Sequence, residues 1–119
     1  MRDYKKLKAF ELTDQLVLQT YKATRSFPKE EQFGLSSQLR RASISAASNI
    51  VEGCGRNTEA DFLHFLDMAF GSVREVEYQF SLAYRLNYLP DTSYGPIQNH
   101  CTETSKVLAA LIRSIRKPK

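Results

Sequence analysis

The chain carries two cysteines, Cys54 and Cys101, in 119 residues. That is too few for the stapled framework of a small secreted domain. Apolar runs stop within a few residues, so no segment is expected to span a bilayer. The opening Met1-Arg2-Asp3-Tyr4-Lys5-Lys6-Leu7-Lys8 is charged and has no apolar stretch behind it. A signal peptide is therefore not expected, and the cytoplasm is the expected location. Strand alternation, internal repeats and low-complexity tracts are also missing. Glycines cluster at Gly53 and Gly55, but no Lys-Ser/Thr pair follows and no strand precedes, which argues against a phosphate loop.

What is present is ordinary for a folded domain: 42% apolar and 25% charged residues, enough to build one core without staples. The length fits a single domain. A net charge of +4 raises a nucleic-acid hypothesis without deciding it.

The helical period is the dominant signal. A first helix is expected over about 9–26, with Phe10, Thr13, Val17, Tyr21 and Thr24 as its core positions and Leu16 flanking them. It stops before Phe27-Pro28, because the residue preceding a proline is pushed out of the α region. A second helix is expected over 35–52, with Leu35, Leu39, Ala42, Ala46 and Asn49 or Ile50 on one seam. Between Ala42 and Ser48 only Ile44 is large, so a neighbouring helix can approach closely. Gly53 falls where a glycine one residue past a helix end belongs, and Cys54-Gly55-Arg56-Asn57 reads as the turn.

Thr58 with Asp61 three residues on resembles a capping box opening a third helix over 59–87. Phe62, Leu66, Ala69, Val73, Val76, Phe80 and Ala83 then repeat at alternating four and three, the spacing of a bundle. Leu63, Phe65 and Phe70 lie off that seam, and extra apolar surface on a helix often faces another subunit. Gly71-Ser72 in mid-helix implies close contact or a bend. Leu89-Pro90-Asp91 turns the chain into a fourth helix over 93–117, with Pro96 in its first turn. Its seam is Ile97, Cys101, Thr104, Leu108, Leu111 and Ile115. The expected fold is all-α, an antiparallel up-down-up-down four-helix bundle.

In that fold the termini and the turn between the second and third helices share one end. This gathers Arg2, Lys5, Lys6, Lys8, Arg56, Arg113, Arg116, Lys117 and Lys119, nine of the 17 basic residues, against Asp3, Glu52, Glu59 and Asp61. Such an end suits sequence-independent, salt-sensitive contact with a phosphate backbone, and Lys5, Lys6, Lys8, Arg56, Arg113, Arg116 and Lys117 are the candidate residues. Solvated termini that complement helix dipoles are the bland alternative. Arg40 and Arg41 are expected to pair with Glu52 and Glu75 between helices or subunits; under the nucleic-acid reading they would line a groove instead. Arg40, Arg41, Leu63, Phe65 and Phe70 are thus the candidate subunit contacts. Asn49, on or beside the seam, suits a register-fixing amide better than catalysis.

Asp61-x-x-His64 resembles half of a di-iron carboxylate motif, but His100 has Ile97 three residues before it instead of a carboxylate. No metal, cofactor, small-molecule substrate or catalytic residue is expected. Cys101 reads as a small core residue, and Cys54 has no histidine nearby in sequence.

Phe27-Pro28, GLSSQLRRASISAASNIVEGCGR (34–56) and MAFGSVREVEYQ (68–79) resemble the small bacterial proteins encoded within intervening sequences of 23S ribosomal RNA genes. The Q-L-R-R-A run, the S-N-I-x-E-G end and the A-x-G-S-x-x-E segment carry the likeness, which extends from about Leu7 to Ile115. The resemblance implies an up-down four-helix bundle and a homopentamer, with no assigned biochemical activity. A distant relative is the accessory protein of diversity-generating retroelements, a basic pentamer linked to nucleic-acid binding. The chain departs from the family at Phe10, where a tryptophan is common, and at Ala46-Ala47, where a larger residue followed by proline is common. The functional expectation is a non-enzymatic homo-oligomer that binds nucleic acid or ribonucleoprotein through its basic end. The alternative is a protein-interaction or scaffolding oligomer whose charge is incidental.

Overall fold

Local capping sets where the helices begin and end. The computed structural model describes residues 2–117. Asp3 accepts from the Lys5 N–H and opens a 3₁₀ turn at Tyr4–Lys6. Helix α1 follows at Lys8–Thr24, and a second 3₁₀ turn at Lys29–Glu31 leads into α2, Leu35–Cys54. Gly34 has no side chain to cap α2; Glu31 Oε1 takes that part, accepting from the Leu35 N–H at 3.1 Å. Thr58 caps α3, Glu59–Arg85, with its Oγ1 on the Asp61 N–H at 3.1 Å.

Helix α3 ends through Asn87, a non-glycine residue at φ 64°. The Tyr88 N–H returns to the Ala83 carbonyl and the Asn87 N–H to Tyr84, the paired bonds of a Schellman end. Asparagine tolerates the left-handed conformation better than most residues. Helix α4 then runs Asp91–Arg116 with Pro90 as its N-cap. Pro96 consequently stands in the second turn instead of the first, and leaves the carbonyl one turn before it without an N–H partner. Thr92, at that position, is exposed, so water can serve it.

Contacts run antiparallel through α2–α3 and through α3–α4. Gly53 meets Phe62 and Phe65 at one end of α2–α3, and the Ser45 and Ser72 hydroxyls bond at 3.0 Å further along. Thr24 bonds Arg40 between α1 and α2. Arg116 pairs with Asp67, while Tyr84 bonds Asp91 across the α3–α4 turn. The described residues thus form the four-helix, strand-free bundle expected.

The core confirms the α3 seam: Phe62, Leu66, Ala69, Val73, Val76, Phe80 and Ala83 are all wholly buried. Leu39, Ala42, Ala46 and Ile50 answer from α2, and Ile97, Cys101, Thr104 and Leu108 from α4. Leu111 and Ile115 pack half-buried, and Ile112 is the buried residue of the last turns.

Helix α1 is rotated from its expected phase. Its buried residues are Ala9, Leu12, Thr13, Leu16, Thr20 and Thr24, whereas Phe10 and Val17 are half-buried and Tyr21 is exposed. Thr13 and Thr24 are buried as expected, and Thr20 joins them. Thr13, Thr20 and Thr24 turn their hydroxyls onto the carbonyls of Ala9, Leu16 and Thr20. Each buries a methyl group with its polar atom already satisfied.

Gly53 is likewise not beyond the helix end. It lies inside α2, buried, and a Cβ there would stand 2.9 Å from Phe65 Cβ and 3.2 Å from Phe62 Cδ1. Its role is close approach between α2 and α3. Gly71 is the opposite case: a Cβ there would meet nothing within 4 Å, so the close contact expected for it is not made within this chain.

Candidate nucleic-acid interface

The end that holds both termini is tied together from the backbone outward. The Arg2 N–H donates to the Cys54 carbonyl at 2.9 Å, serving one of the open carbonyls of the last turn of α2. Above it the Arg2 guanidinium lies 4.0 Å from the Phe62 ring centroid. Arg56 lies over Phe65 at 4.7 Å and bonds Glu52 at 2.6 Å. These contacts place Arg2 and Arg56 on neighbouring aromatic faces of α3.

The candidate cations divide into two groups. Lys8 pairs with Glu11 at 3.7 Å, Arg56 with Glu52, and Arg116 with Asp67. Among the described residues Lys5, Lys6, Arg113 and Lys117, together with Arg2, have no carboxylate within 4.0 Å. Lys5 and Lys6 lie on the opening 3₁₀ turn; Arg113 is in the last turn of α4 and Lys117 just beyond it. All four are exposed. Lys119 lies outside the described residues.

The candidate subunit contacts are placed differently from one another. Leu63 and Phe70 are half-buried and pack against the core, and Phe65 is half-buried beneath Arg56. Within the chain Arg40 and Arg41 form no ion pair with Glu52 or Glu75. Glu52 is held by Arg56. Arg40 instead donates from Nε to Thr24 Oγ1 at 2.9 Å and lies 4.8 Å from the Tyr21 ring centroid. Arg41 and Glu75 line one shallow groove between α2 and α3 without an ion pair. Asn49 donates to the Ser45 carbonyl and hydroxyl, within its own helix.

The metal-like and nucleophile-like residues have other occupations. His64 sits edge-on to Phe65. The two ring nitrogens of His100 bond Gln19 Oε1 and the Leu12 carbonyl, each at 2.8 Å, which ties α4 to α1. Among the described residues no group of three or more His, Cys, Asp or Glu is placed to hold a metal. Burial raises the pKa of the Cys54 thiol and pushes that of Cys101 up to about 12, so both are kept protonated. Among the same residues no helix is long and apolar enough to cross a membrane.

Two features escaped the sequence reading. Phe33, just before α2, is 91% exposed. Its one signal is a large apolar residue belonging to no helical seam. The partners of Arg40, Tyr21 and Thr24, lie on a different helix, α1, and no local pattern announces them.

The family model described as 23S rRNA-intervening sequence protein matches residues 5–110. Among solved structures, the bundle is similar to a protein of unknown function from the S23 ribosomal protein family of Bacteroides thetaiotaomicron VPI-5482. The TM-score is 0.81 and the identity 26%, over 88% of this chain and 95% of that one. No curated protein matches. With the profile spanning most of the length and the four helices superposing, the chain belongs to the 23S rRNA-intervening sequence protein family.

Proposed function

We propose that this protein is a non-enzymatic helical bundle that assembles with copies of itself and binds nucleic acid through the backbone phosphates. The observation that carries the reading is the set of Arg2, Lys5, Lys6, Arg113 and Lys117 at the ends of the chain, none within 4.0 Å of a carboxylate among the described residues. Unneutralised cations at one end of a bundle attract a polyanion, and a ring of subunits multiplies the field. Tyr4 packs edge-on against Phe10. Its ring is not presented for stacking on bases, so the contact is to phosphate and is indifferent to sequence.

The test is retention of a fluorescent RNA or DNA duplex at about 50 mM salt with tens of micromolar protein. Binding should weaken steeply as salt rises, and K5Q/K6Q/R113Q/K117Q should flatten that slope. No retention by the native chain would end the nucleic-acid reading.

The second reading, a protein-interaction oligomer, rests on Phe33. An aromatic ring so exposed is available to the surface of a partner, and aromatic residues are enriched where proteins meet. Light scattering separates a monomer from a homopentamer, which has five times the 13.6 kDa chain mass.

A further inference from the structure

At the end of the bundle opposite the termini, between α1 and the start of α2, is a pocket of about 320 Å³. Its polar walls are Thr24, Arg25, Lys29, Gln32, Ser36 and Arg40, with Phe27 and Pro28 supplying the apolar part. Three of these residues are cationic and none is acidic. Of the two acids that follow Lys29 in sequence, Glu30 is exposed and lines no part of the pocket, and Glu31 spends both carboxylate oxygens elsewhere, on the Leu35 N–H and the Tyr88 hydroxyl.

Arg40 is the centre of the pocket's chemistry. It is half-buried, and among the described residues it pairs with no carboxylate. Its Nε donates to Thr24 Oγ1 at 2.9 Å, while that hydroxyl itself donates to the Thr20 carbonyl at 2.8 Å. The Tyr21 ring lies against the guanidinium at 4.8 Å. One donor and one face are therefore fixed, which holds the planar fork in place with its two terminal nitrogens uncommitted to any acid. A guanidinium so held suits bidentate recognition of an oxyanion. Arg25 and Lys29 add two further positive charges, and Ser36 and Gln32 add neutral polar groups.

We propose that this pocket binds a phosphoryl group. Three cations without a carboxylate favour a dianion over a singly charged carboxylate, and the pre-positioned fork favours tetrahedral or planar oxyanions over halide. The site is independent of the basic end: the molecule is 48 Å long, and Lys5 and Lys6 lie at its other extremity.

The test is calorimetric titration of the full chain with inorganic phosphate at low ionic strength, with acetate as the competing class. Saturable binding below about 10 mM is expected. R25Q/K29Q, two exposed positions, should weaken it about tenfold. R40K keeps the charge but loses the fork, and should weaken it at least as much. K5Q/K6Q should leave it unchanged, even though the same change weakens duplex binding if the basic end is the nucleic-acid site. A 5′-phosphorylated dinucleotide that outcompetes orthophosphate would support the pocket as a reader of nucleic-acid ends; equal binding would support it as a site for free phosphate. No saturable binding, equal binding of acetate, or unchanged affinity in R25Q/K29Q would overturn the proposal.

Discussion

Tyr88, just past the end of α3, donates its hydroxyl to Glu31 Oε2 at 2.8 Å, and the other oxygen of the same carboxylate caps α2 at the Leu35 N–H. One carboxylate thus joins the start of α2 to the end of α3, beside the Phe27 ring that packs on Tyr88 at 5.5 Å. The Leu35 N–H and then the Tyr88 hydroxyl hold the Glu31 carboxyl below the usual glutamate value of 4.5.

The sign of the pH effect follows from that lowering. A depressed pKa in the folded state means that this contribution to stability is present above the unfolded value and is lost as pH falls through the folded one. Melting temperatures of the native chain and E31Q should therefore differ near neutrality and converge in acid. The same bond raises the pKa of the Tyr88 hydroxyl, so its contribution is present below the ordinary tyrosine value and fades as pH rises through the raised one. A constant gap between the native chain and E31Q across the acid range would show that the carboxylate charge is irrelevant to the tie.

Ala46 is wholly buried where α2 faces the core. Ala46→Leu should cost about 1–3 kcal/mol by overpacking. Urea unfolding measures it, and an unchanged midpoint would mean that the core can absorb the added volume.

Two glycines on adjoining helices should respond with opposite signs. At Gly53 an added methyl meets Phe65 and Phe62 at 2.9 and 3.2 Å, so Gly53→Ala should destabilise, by about 1–3 kcal/mol before the helix-propensity gain of about 1 kcal/mol is set against it. At Gly71 there is open space, and Gly71→Ala should stabilise by about 0.5–1 kcal/mol. Thermal melts of the two variants side by side check the pair.

The cysteines should be silent in the folded protein. Both are buried with raised pKa values, so a thiol reagent at neutral pH should label them only on unfolding. Rapid labelling of Cys54 in the native state would show that the Arg2–Cys54 tie opens readily.

Some of this was legible in sequence because the signal is short in range. The α3 seam could be read directly, since a run of Phe62, Leu66, Ala69, Val73, Val76, Phe80 and Ala83 has one helical solution that buries it. The Thr58 cap was equally local. In helix α1 the burial of Thr13 and Thr24 was legible too, whereas Phe10, Val17 and Tyr21 gave way to Ala9, Leu12, Leu16 and Thr20, a rotation set by how α1 packs on its neighbours.

The candidate sites divide along the same line. That cations crowd the chain ends and the α2–α3 turn follows from residue order and antiparallel topology alone. Lys8–Glu11 and Arg56–Glu52 are pairs that local helical spacing already allows, whereas Arg116–Asp67 joins two helices and was decided in three dimensions. Period and capping act over a turn or two of helix, so the sequence by itself determined four helices and most of their buried faces. Arg40 among Tyr21, Thr24 and Lys29, and Gly53 against Phe62 and Phe65, depend on the rotation and spacing of packed helices. Only the tertiary structure decided those, because side chains on separate helices meet through packing that no single stretch encodes.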